Sequence, residues 1–236
     1  EGFAARGLSR EEAARLMQLS VEVANQARDE LLDSGQQDSH RPRPLVAASI
    51  GPYGAHLHDG SEYHGNYQAT DKAISGFHLR RMETLLQANP DLLALETIPS
   101  LREGELLLRA MEEFPGTVAW LSFSCQDDTR LSHGESFASA MAAANDSSQI
   151  VAAGLNCTPP QHVSPLLASA RRSTNKPLLV YPNSGECWVS NGNRWLPGSK
   201  SESLAVMAQL WQQEGARLIG GCCRTSVTEI ADLVHS

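Results

Sequence analysis

Three cysteines follow two apolar stretches of the chain, and thiolates in this number can hold a metal ion. Cys222 and Cys223 come after the stretch that begins at Leu218, and Cys157 comes after the stretch that begins at Ile150. A catalytic zinc site typically has three protein ligands, and its fourth position is left for water or substrate. We therefore predict that Cys157, Cys222 and Cys223 bind Zn2+ and form a catalytic centre.

Cysteine also has a structural interpretation, because a free cysteine is often buried as a small apolar side chain. That interpretation is the better one for any cysteine taken alone, and we apply it to Cys125 and Cys187, which lack the glycine-rich setting of the pair. A purely structural zinc site would need a fourth protein ligand, such as Cys125 or a histidine. Gly220 and Gly221 precede the cysteine pair and allow the backbone to come close to a neighbour or ligand.

A carboxylate also ends a stretch of apolar residues. Glu96 follows four of them, and a buried acid needs a partner, which is either a substrate ammonium group or an internal cation such as Arg102. Asn156 and Ser124 could donate hydrogen bonds to a substrate or could satisfy nearby backbone. Glu96, Ser124, Asn156 and Gly221 are thus the predicted substrate-binding residues.

Two long loops carry further polar and aromatic residues. The loop 51–66 contains His56, His58 and His64, whose irregular spacing favours solvated histidines over a second metal site. The loop 183–199 contains Trp188 and Trp195 and could form a lid, although exposed aromatic side chains more often pack onto their own loop.

Six short apolar runs predict the strands that position these residues: 45–50, 92–96, 118–123, 150–155, 178–181 and 218–220. Runs that are apolar throughout indicate buried parallel strands, and each is followed by a loop and a helix. Such repeats fit a doubly wound sheet or a (β/α)8 barrel, and in both the functional loops gather at the carboxyl ends of the strands. A barrel needs eight strands, so we expect that two leading strand–helix units are missing from this chain.

Helix starts are predicted by capping boxes, in which a serine and a glutamate three residues later satisfy otherwise unpaired backbone N–H groups. The boxes are Ser9/Glu12, Ser100/Glu103 and Ser226/Glu229, and Thr158 before two prolines predicts a fourth start. The packed face of the first helix is predicted from its regularly spaced apolar residues: Ala13, Leu16, Val23, Ala27 and Leu31.

Composition excludes several classes of function. The 236 residues carry a net charge of -8 without a cluster of basic residues, which argues against a nucleic-acid partner. No apolar run approaches the ~20 residues needed to cross a bilayer, and the first residues, Glu1-Gly2-Phe3, carry no basic region followed by an apolar segment. An odd number of cysteines, five, then indicates reduced thiols. We expect a cytoplasmic protein without membrane association.

Taken together, the motifs resemble the homocysteine S-methyltransferase family. They are Gly51-Pro52-Tyr53-Gly54, Glu96-Thr97, Gly154-Leu155-Asn156-Cys157, the segment 181–186 and Gly220-Gly221-Cys222-Cys223. The cysteine-containing pair of motifs is the specific part, whereas the Gly-Pro-Tyr-Gly element alone is weak. The resemblance covers the whole chain and keeps the order and approximate spacing of every motif.

The resemblance implies one domain over residues 1–236, a (β/α)8 TIM barrel that binds homocysteine and lacks its N-terminal part. It implies that Cys157, Cys222 and Cys223 hold zinc, with the homocysteine sulfur as fourth ligand, and that Glu96 binds the homocysteine amino group. The expected reaction is methyl transfer from a sulfonium donor, S-methylmethionine or S-adenosylmethionine, to give methionine. Thr97 disfavours betaine as donor, because betaine users tend to have an aromatic residue there.

Two alternatives stay open. One is a betaine- or selenocysteine-directed methyltransferase of the same family. The other is a zinc- or thiol-containing barrel that acts as a binding or regulatory module.

The sequence departs from the family pattern in one respect. The family pattern begins with a strand that carries an Asp-Gly-Gly or Asp-Gly-Ala turn and contributes to the amino-acid pocket, and this strand is absent from the sequence.

Overall fold

Six parallel strands form a single sheet in the computed structural model, which describes residues 2–35, 41–189, 194–196 and 202–235. The strands are β1 (Ala47–Ile50), β2 (Leu92–Ile98), β3 (Ala119–Phe123), β4 (Ile150–Asn156), β5 (Leu178–Tyr181) and β8 (Ala216–Ile219). Two further strands, β6 (Cys187–Val189) and β7 (Arg194–Leu196), form a separate antiparallel pair. All six predicted strands are confirmed, with ends that differ by at most two residues.

The strands lie side by side in the order in which they occur along the chain, β1-β2-β3-β4-β5-β8. A doubly wound sheet reverses its strand order at a switch point, whereas neighbours in a (β/α)8 barrel follow one another in sequence. The sheet is therefore an arc of a barrel, and β1 and β8 form its edges. Its helices are α1 (Arg10–Asp33), α2 (Asp71–Leu86), α3 (Leu101–Met111), α4 (Phe137–Ala143), α5 (Val163–Ser173), α6 (Leu204–Gln213) and α7 (Val227–His235).

Alternation along the strands separates a core face from a polar face. The core face carries Ile50, Leu95, Leu121, Leu155 and Val180, all fully buried in one apolar cluster with residues of α3, α4 and α5. Burying a side chain of this size contributes about 1.5–3 kcal/mol. The opposite face carries the polar strand residues, and it is this face that holds the candidate site.

The predicted packed face of α1 is confirmed at Ala13 and is wrong at the exposed residues Leu16, Val23, Ala27 and Leu31. Val23 is 57% exposed and Leu16 is 41% exposed, whereas Ala13 and Val21 are buried and Met17 is partly buried against the core. The packed stripe is thus narrower than the prediction and continues into polar residues, since the Asn25 side chain donates to the Ala88 carbonyl and Arg28 pairs with Asp91. Apolar spacing alone could not identify a face that is completed by polar contacts.

Two capping boxes are confirmed, and the predicted helix start at Ser100 is confirmed with only half of its box, since Ser100 is the N-cap of α3. Ser9/Glu12 and Ser226/Glu229 make both reciprocal hydrogen bonds. The Ser100 hydroxyl accepts from the Glu103 N–H, but the Glu103 carboxylate turns away and accepts from the Tyr53 N–H instead.

The predicted start at Thr158 is wrong, because its hydroxyl bonds the Asn156 carbonyl and the Cys125 N–H. The next helix, α5, begins only at Val163, after a short 3-10 turn. Within the described part of the chain, no helix has the length and apolar character that a membrane crossing requires.

Candidate metal and substrate site

The three predicted zinc ligands lie together at the carboxyl ends of the strands. The sulfur atoms of Cys157, Cys222 and Cys223 all lie within 4.8 Å of one another, and those of Cys157 and Cys223 are 3.5 Å apart. Two thiolates that bind one zinc ion at about 2.3 Å in tetrahedral geometry lie roughly 3.8 Å apart, so the cluster fits such an ion. Cys157 follows β4 directly, and the cysteine pair comes shortly after β8.

Backbone hydrogen bonds to the end of β5 and the segment that follows it hold both cysteine-bearing loops. The Cys157 N–H donates to the Tyr181 carbonyl, the Cys222 N–H donates to the Pro182 carbonyl, and the Ser184 N–H donates to the Cys223 carbonyl. Three cysteines from two separated segments are therefore bonded to one intervening loop, which fixes their relative position.

The loops also contain strained or crowded backbone positions. Cys157 has a φ of 50° and Arg224 a φ of 69°, in the left-handed region that non-glycine residues rarely adopt. A Cβ on Gly221 would lie 2.3 Å from a Thr225 side-chain carbon, so glycine is required there. A Cβ on Gly220 would make only an ordinary contact, 3.5 Å from the Cβ of Tyr181. The predicted need for glycine therefore holds at Gly221 but not at Gly220.

The protonation of the cluster reflects the closeness of its sulfur atoms. The pKa of Cys223 is lowered to about 3, because the thiols of Cys157 and Cys222 hydrogen bond to its sulfur. The pKa of Cys157 is raised by its hydrogen bonds to Cys222 and Cys223 and by burial. One thiolate is thus stabilised at the expense of its neighbours, and a bound divalent cation is what would allow all three to ionise.

A fourth side-chain ligand is not found among the described residues, where this trio is the only group of three or more potential metal ligands. Cys125 is buried in the apolar core, as predicted, and burial raises the pKa of its thiol. His56 and His64 bond neighbouring backbone atoms of their own loop. Of the predicted lid 183–199, residues 190–193 and 197–199 and the side chains of Cys187, Trp188 and Trp195 lie outside what is described.

Glu96 is held at the site by two hydroxyl groups. Its carboxylate accepts hydrogen bonds from the Ser49 hydroxyl at 2.5 Å and from the Tyr181 hydroxyl at 3.0 Å. The Arg102 guanidinium, the internal partner considered from sequence, pairs with Asp71 instead. Glu96 therefore has no cationic partner among the described residues, and a partly exposed carboxylate remains available for an ammonium group.

The Tyr181 hydroxyl connects this carboxylate to the neighbouring strands. It lies 2.6 Å from the Ser122 hydroxyl and accepts a hydrogen bond from the Trp120 indole. Burial raises the pKa of Tyr181 far above its ordinary value, and the nearby charge of Glu96 acts in the same direction. Tyr181 therefore stays a neutral donor to Glu96.

The predicted substrate residues do not share one environment. Asn156 is fully buried and its amide bonds Thr97 and Ser122. Ser124 is buried as well, and its hydroxyl accepts from Ser132 in the loop after β3. Direct substrate contacts by Asn156, Ser124 and Gly221 stay predictions.

Several residues that build the site had no predicted role, although Tyr181 and Glu186 lie in the motif segment 181–186. Ser49, Ser122 and Tyr181 bond into the network around Glu96 from three different strands, and Arg224 pairs with Glu186 at 2.6 Å beside the cysteine pair. The only sequence signal for the serines was a hydroxyl inside an otherwise apolar run. A short polar side chain in a buried strand is a weak signal, because it can also satisfy nearby backbone.

Comparison with known proteins identifies the family of the chain. The sequence profile of the family described as homocysteine S-methyltransferase matches residues 2–236. The chain is 47% identical over 233 residues to a homocysteine S-methyltransferase, YbgG, of Bacillus subtilis, covering 99% of this chain and 74% of that protein. It is 46% identical to homocysteine S-methyltransferase 1 of Zea mays, covering 97% of this chain and 73% of that protein.

A solved structure is similar in fold as well as in sequence. The homocysteine methyltransferase MmuM from Escherichia coli, in its metallated form, superposes with a TM-score of 0.87 at 40% identity. The match covers 100% of this chain and 75% of that one.

Proposed function

The chain belongs to the homocysteine S-methyltransferase family, and on that premise we propose that it transfers a methyl group to homocysteine at a zinc ion held by Cys157, Cys222 and Cys223. The product of S-methylation of homocysteine is methionine. The observation that carries the metal assignment is the convergence of exactly these three sulfur atoms within 4.8 Å, with no fourth side-chain ligand among the described residues. Such a site leaves one coordination position for the substrate.

The donor set favours a soft divalent ion. Thiolates prefer zinc or other soft ions to magnesium or calcium, and the neighbouring E. coli structure has a metallated form. When bound, zinc would supply the Lewis acidity that lowers the pKa of a substrate thiol, which otherwise lies near ~8.5. A cytoplasmic location is part of this proposal, because the three thiols must stay reduced to bind the ion.

The chain's own residues then orient the acceptor. Glu96 accepts hydrogen bonds from the ammonium group of homocysteine. The Ser49 and Tyr181 hydroxyls hold the Glu96 carboxylate in place from two sides. Holding both the amino-acid end and the sulfur end restricts the acceptor to one approach. Orientation of this kind can lower the activation free energy by several kcal/mol, and by up to about 7–11 kcal/mol in the best intramolecular cases.

The reaction is a displacement at the methyl carbon. The homocysteine sulfur forms a bond to the methyl group while the bond from that carbon to the donor sulfur breaks. The electron pair of the broken bond stays on the donor sulfur, which becomes a neutral thioether, and the thiol proton leaves to solvent. Because opposite charges cancel, the site needs no oxyanion hole.

We propose a sulfonium, S-methylmethionine or S-adenosylmethionine, as the methyl donor. Tyr63 is 48% exposed, and the pKa of its hydroxyl is raised by burial, by the charge of Glu62 and by the charges of Cys157 and Cys223, so this hydroxyl lies within electrostatic range of the cysteine cluster. An aromatic face attracts a cation by about 0.5–2 kcal/mol. Thr97 supports the same choice, because it stands where betaine users tend to have an aromatic residue.

Metal analysis and methyl-transfer assays of matched cysteine variants test this proposal. Cys157→Ser should lose most of its bound zinc and its methyl transfer to homocysteine, whereas Cys125→Ala, which alters only the core, should keep both. Assays with S-methylmethionine, S-adenosylmethionine and betaine identify the donor. Full zinc content and full activity in Cys157→Ser would refute the assignment, and transfer from betaine alone would refute the choice of donor.

A further inference from the structure

A single buried amide, that of Asn156, contacts both halves of the site, and we propose that Asn156 is a positioning residue for homocysteine. It fixes the Glu96 carboxylate relative to the thiol of Cys222. This inference rests on the proposed function, because it concerns how the same acceptor is held. It differs from the sequence-based prediction that Asn156 contacts the substrate directly.

One half of the argument is the strained end of β2. Thr97 has a φ of 59°, a left-handed conformation that is unfavourable for a β-branched residue. The pairing of β2 with β3 also shifts register between Leu95 and Ile98, so Glu96 and Thr97 form a bulge. A bulge of this kind redirects side chains, and here it lets Thr97 follow Glu96 on the face of the site while Ile98 returns to the apolar core.

Asn156 holds that bulge with two hydrogen bonds. The Thr97 N–H donates to Asn156 Oδ1 at 2.7 Å, and Asn156 Nδ2 donates to the Thr97 hydroxyl at 2.7 Å. The N–H and the hydroxyl of Thr97 are both paired in this way, and the two bonds stabilise its left-handed conformation. The amide reaches Thr97 from β4, past β3, so the contact is tertiary.

The other half of the argument is the thiol cluster. Asn156 Nδ2 also lies 3.8 Å from the sulfur of Cys222, within hydrogen-bonding range for sulfur, and Oδ1 accepts a second bond from the Ser122 hydroxyl at 2.9 Å. With two acceptors and two donors engaged, the side chain has no capacity left for a ligand, and it is 0% exposed. Its contribution to the reaction must therefore be made through Thr97 and Cys222.

Kinetics of Asn156→Ala, with Asn145→Ala as the matched control, measure this contribution. Asn145 is an amide that also bonds through both its oxygen and its nitrogen, but to Thr174 and Ser173 rather than to the site. Removing a group that hydrogen bonds to a metal ligand, as Asn156 does to Cys222, typically costs about 10- to 100-fold in metal affinity or activity. We expect the KM for homocysteine to rise at least about tenfold in Asn156→Ala, with the donor KM changed less than about threefold.

Rescue by Thr97→Gly separates positioning from general damage. Glycine adopts the left-handed conformation without strain, so the bulge no longer needs a clamp. The homocysteine KM of the double variant Asn156→Ala/Thr97→Gly should therefore fall most of the way back to the wild-type value. If the KM values for homocysteine and for the donor rise by the same factor in Asn156→Ala, Asn156 only supports the fold. A homocysteine KM that is higher in the double variant than in Asn156→Ala would show the same.

A spectroscopic titration gives a readout independent of turnover. Co2+ replaces zinc in thiolate sites and absorbs through its sulfur ligands, so homocysteine binding can be followed by the change in these bands. The homocysteine midpoint should be about tenfold higher in Asn156→Ala than in the wild type, while the bands before titration stay unchanged. Equal midpoints would overturn the inference. If the wild-type bands do not respond to homocysteine at all, the proposed function itself has failed.

A milder variant covers the case in which Asn156→Ala does not fold. Thr97→Ala keeps the N–H bond to Asn156 Oδ1 and removes only the hydroxyl half of the clamp. Its homocysteine midpoint should rise by about threefold, as expected for the loss of one hydrogen bond of about 0.5–1 kcal/mol. An unchanged midpoint in Thr97→Ala would contradict the clamp.

Discussion

The buried pair of His78 and Glu103 predicts how the stability of this protein depends on pH. His78 Nε2 and Glu103 Oε1 are 2.8 Å apart, and both side chains are fully buried. Burial raises the pKa of Glu103 to about 8, opposed by the hydrogen bond from the Tyr53 N–H. Burial, together with the charges of Arg81 and His56, lowers the pKa of His78 to about 3. The folded pair therefore holds a single proton between these two values.

The sign of the effect follows from comparing proton counts with those of the unfolded chain, where the ordinary values are 4.5 for the glutamate and 6.5 for the histidine. Between pH 4.5 and 6.5 both states carry one proton on the pair, and stability does not change. From pH 6.5 to about 8 only the folded state keeps the proton, so the free energy of unfolding falls as pH rises. Below pH 4.5 the unfolded chain takes up a second proton, and the free energy of unfolding falls as pH drops towards about 3.

The size of the alkaline loss follows from the width of its window. The difference between 8 and 6.5 is 1.5 units. At about 1.4 kcal/mol per unit this gives a loss of about 2 kcal/mol. Because total stabilities are only about 5–15 kcal/mol, a change of this size is measurable.

Urea denaturation at about pH 6.5 and 8.5 of the wild type, Glu103→Gln and Glu105→Gln measures this difference, if each unfolds in one cooperative step. Glu105 lies on the same helix and is exposed, so it controls for the loss of a carboxylate. The wild type and Glu105→Gln should lose about 2 kcal/mol more between the two pH values than Glu103→Gln, which has no acid to retain the proton. Equal losses in all three proteins would refute the buried neutral pair.

Three further predictions concern the site. Glu96→Gln should raise the homocysteine KM by at least about tenfold with little change in the donor KM, and equal effects on both in steady-state assays would contradict its role as ammonium ligand. Gly154→Ala should lower the free energy of unfolding by about 3 kcal/mol or more, because its Cβ would lie 1.8 Å from the Leu179 carbonyl oxygen, and a urea titration showing less than about 1 kcal/mol would disprove this crowding. Glu186→Gln should weaken zinc affinity in chelator competition less than about fivefold, since its partner Arg224 is 54% exposed and such ion pairs contribute at most about 1 kcal/mol; a loss above tenfold would show that the pair matters more.

Much of the fold followed from local sequence patterns. Each strand of the six-stranded sheet is a short run rich in Val, Ile, Leu and Ala, and burial on the helix-facing side requires such residues whatever the surroundings. The capping boxes at Ser9 and Ser226 were equally predictable, because in each box the serine and its glutamate partner are only three residues apart in the sequence. Thr158 and the packed face of α1 were not, since their hydrogen bonds and contacts come from segments distant in sequence.

The chemistry divides in the same way. The sequence by itself identified the three cysteines and Glu96, because a reactive side chain at or shortly after the carboxyl end of a parallel strand lies at the functional edge of the sheet. Only the tertiary structure decided which hydroxyls hold Glu96 and that Asn156 contacts both Thr97 and Cys222. Those contacts join residues more than 40 positions apart, and their geometry depends on the curvature of the sheet, which no local pattern records.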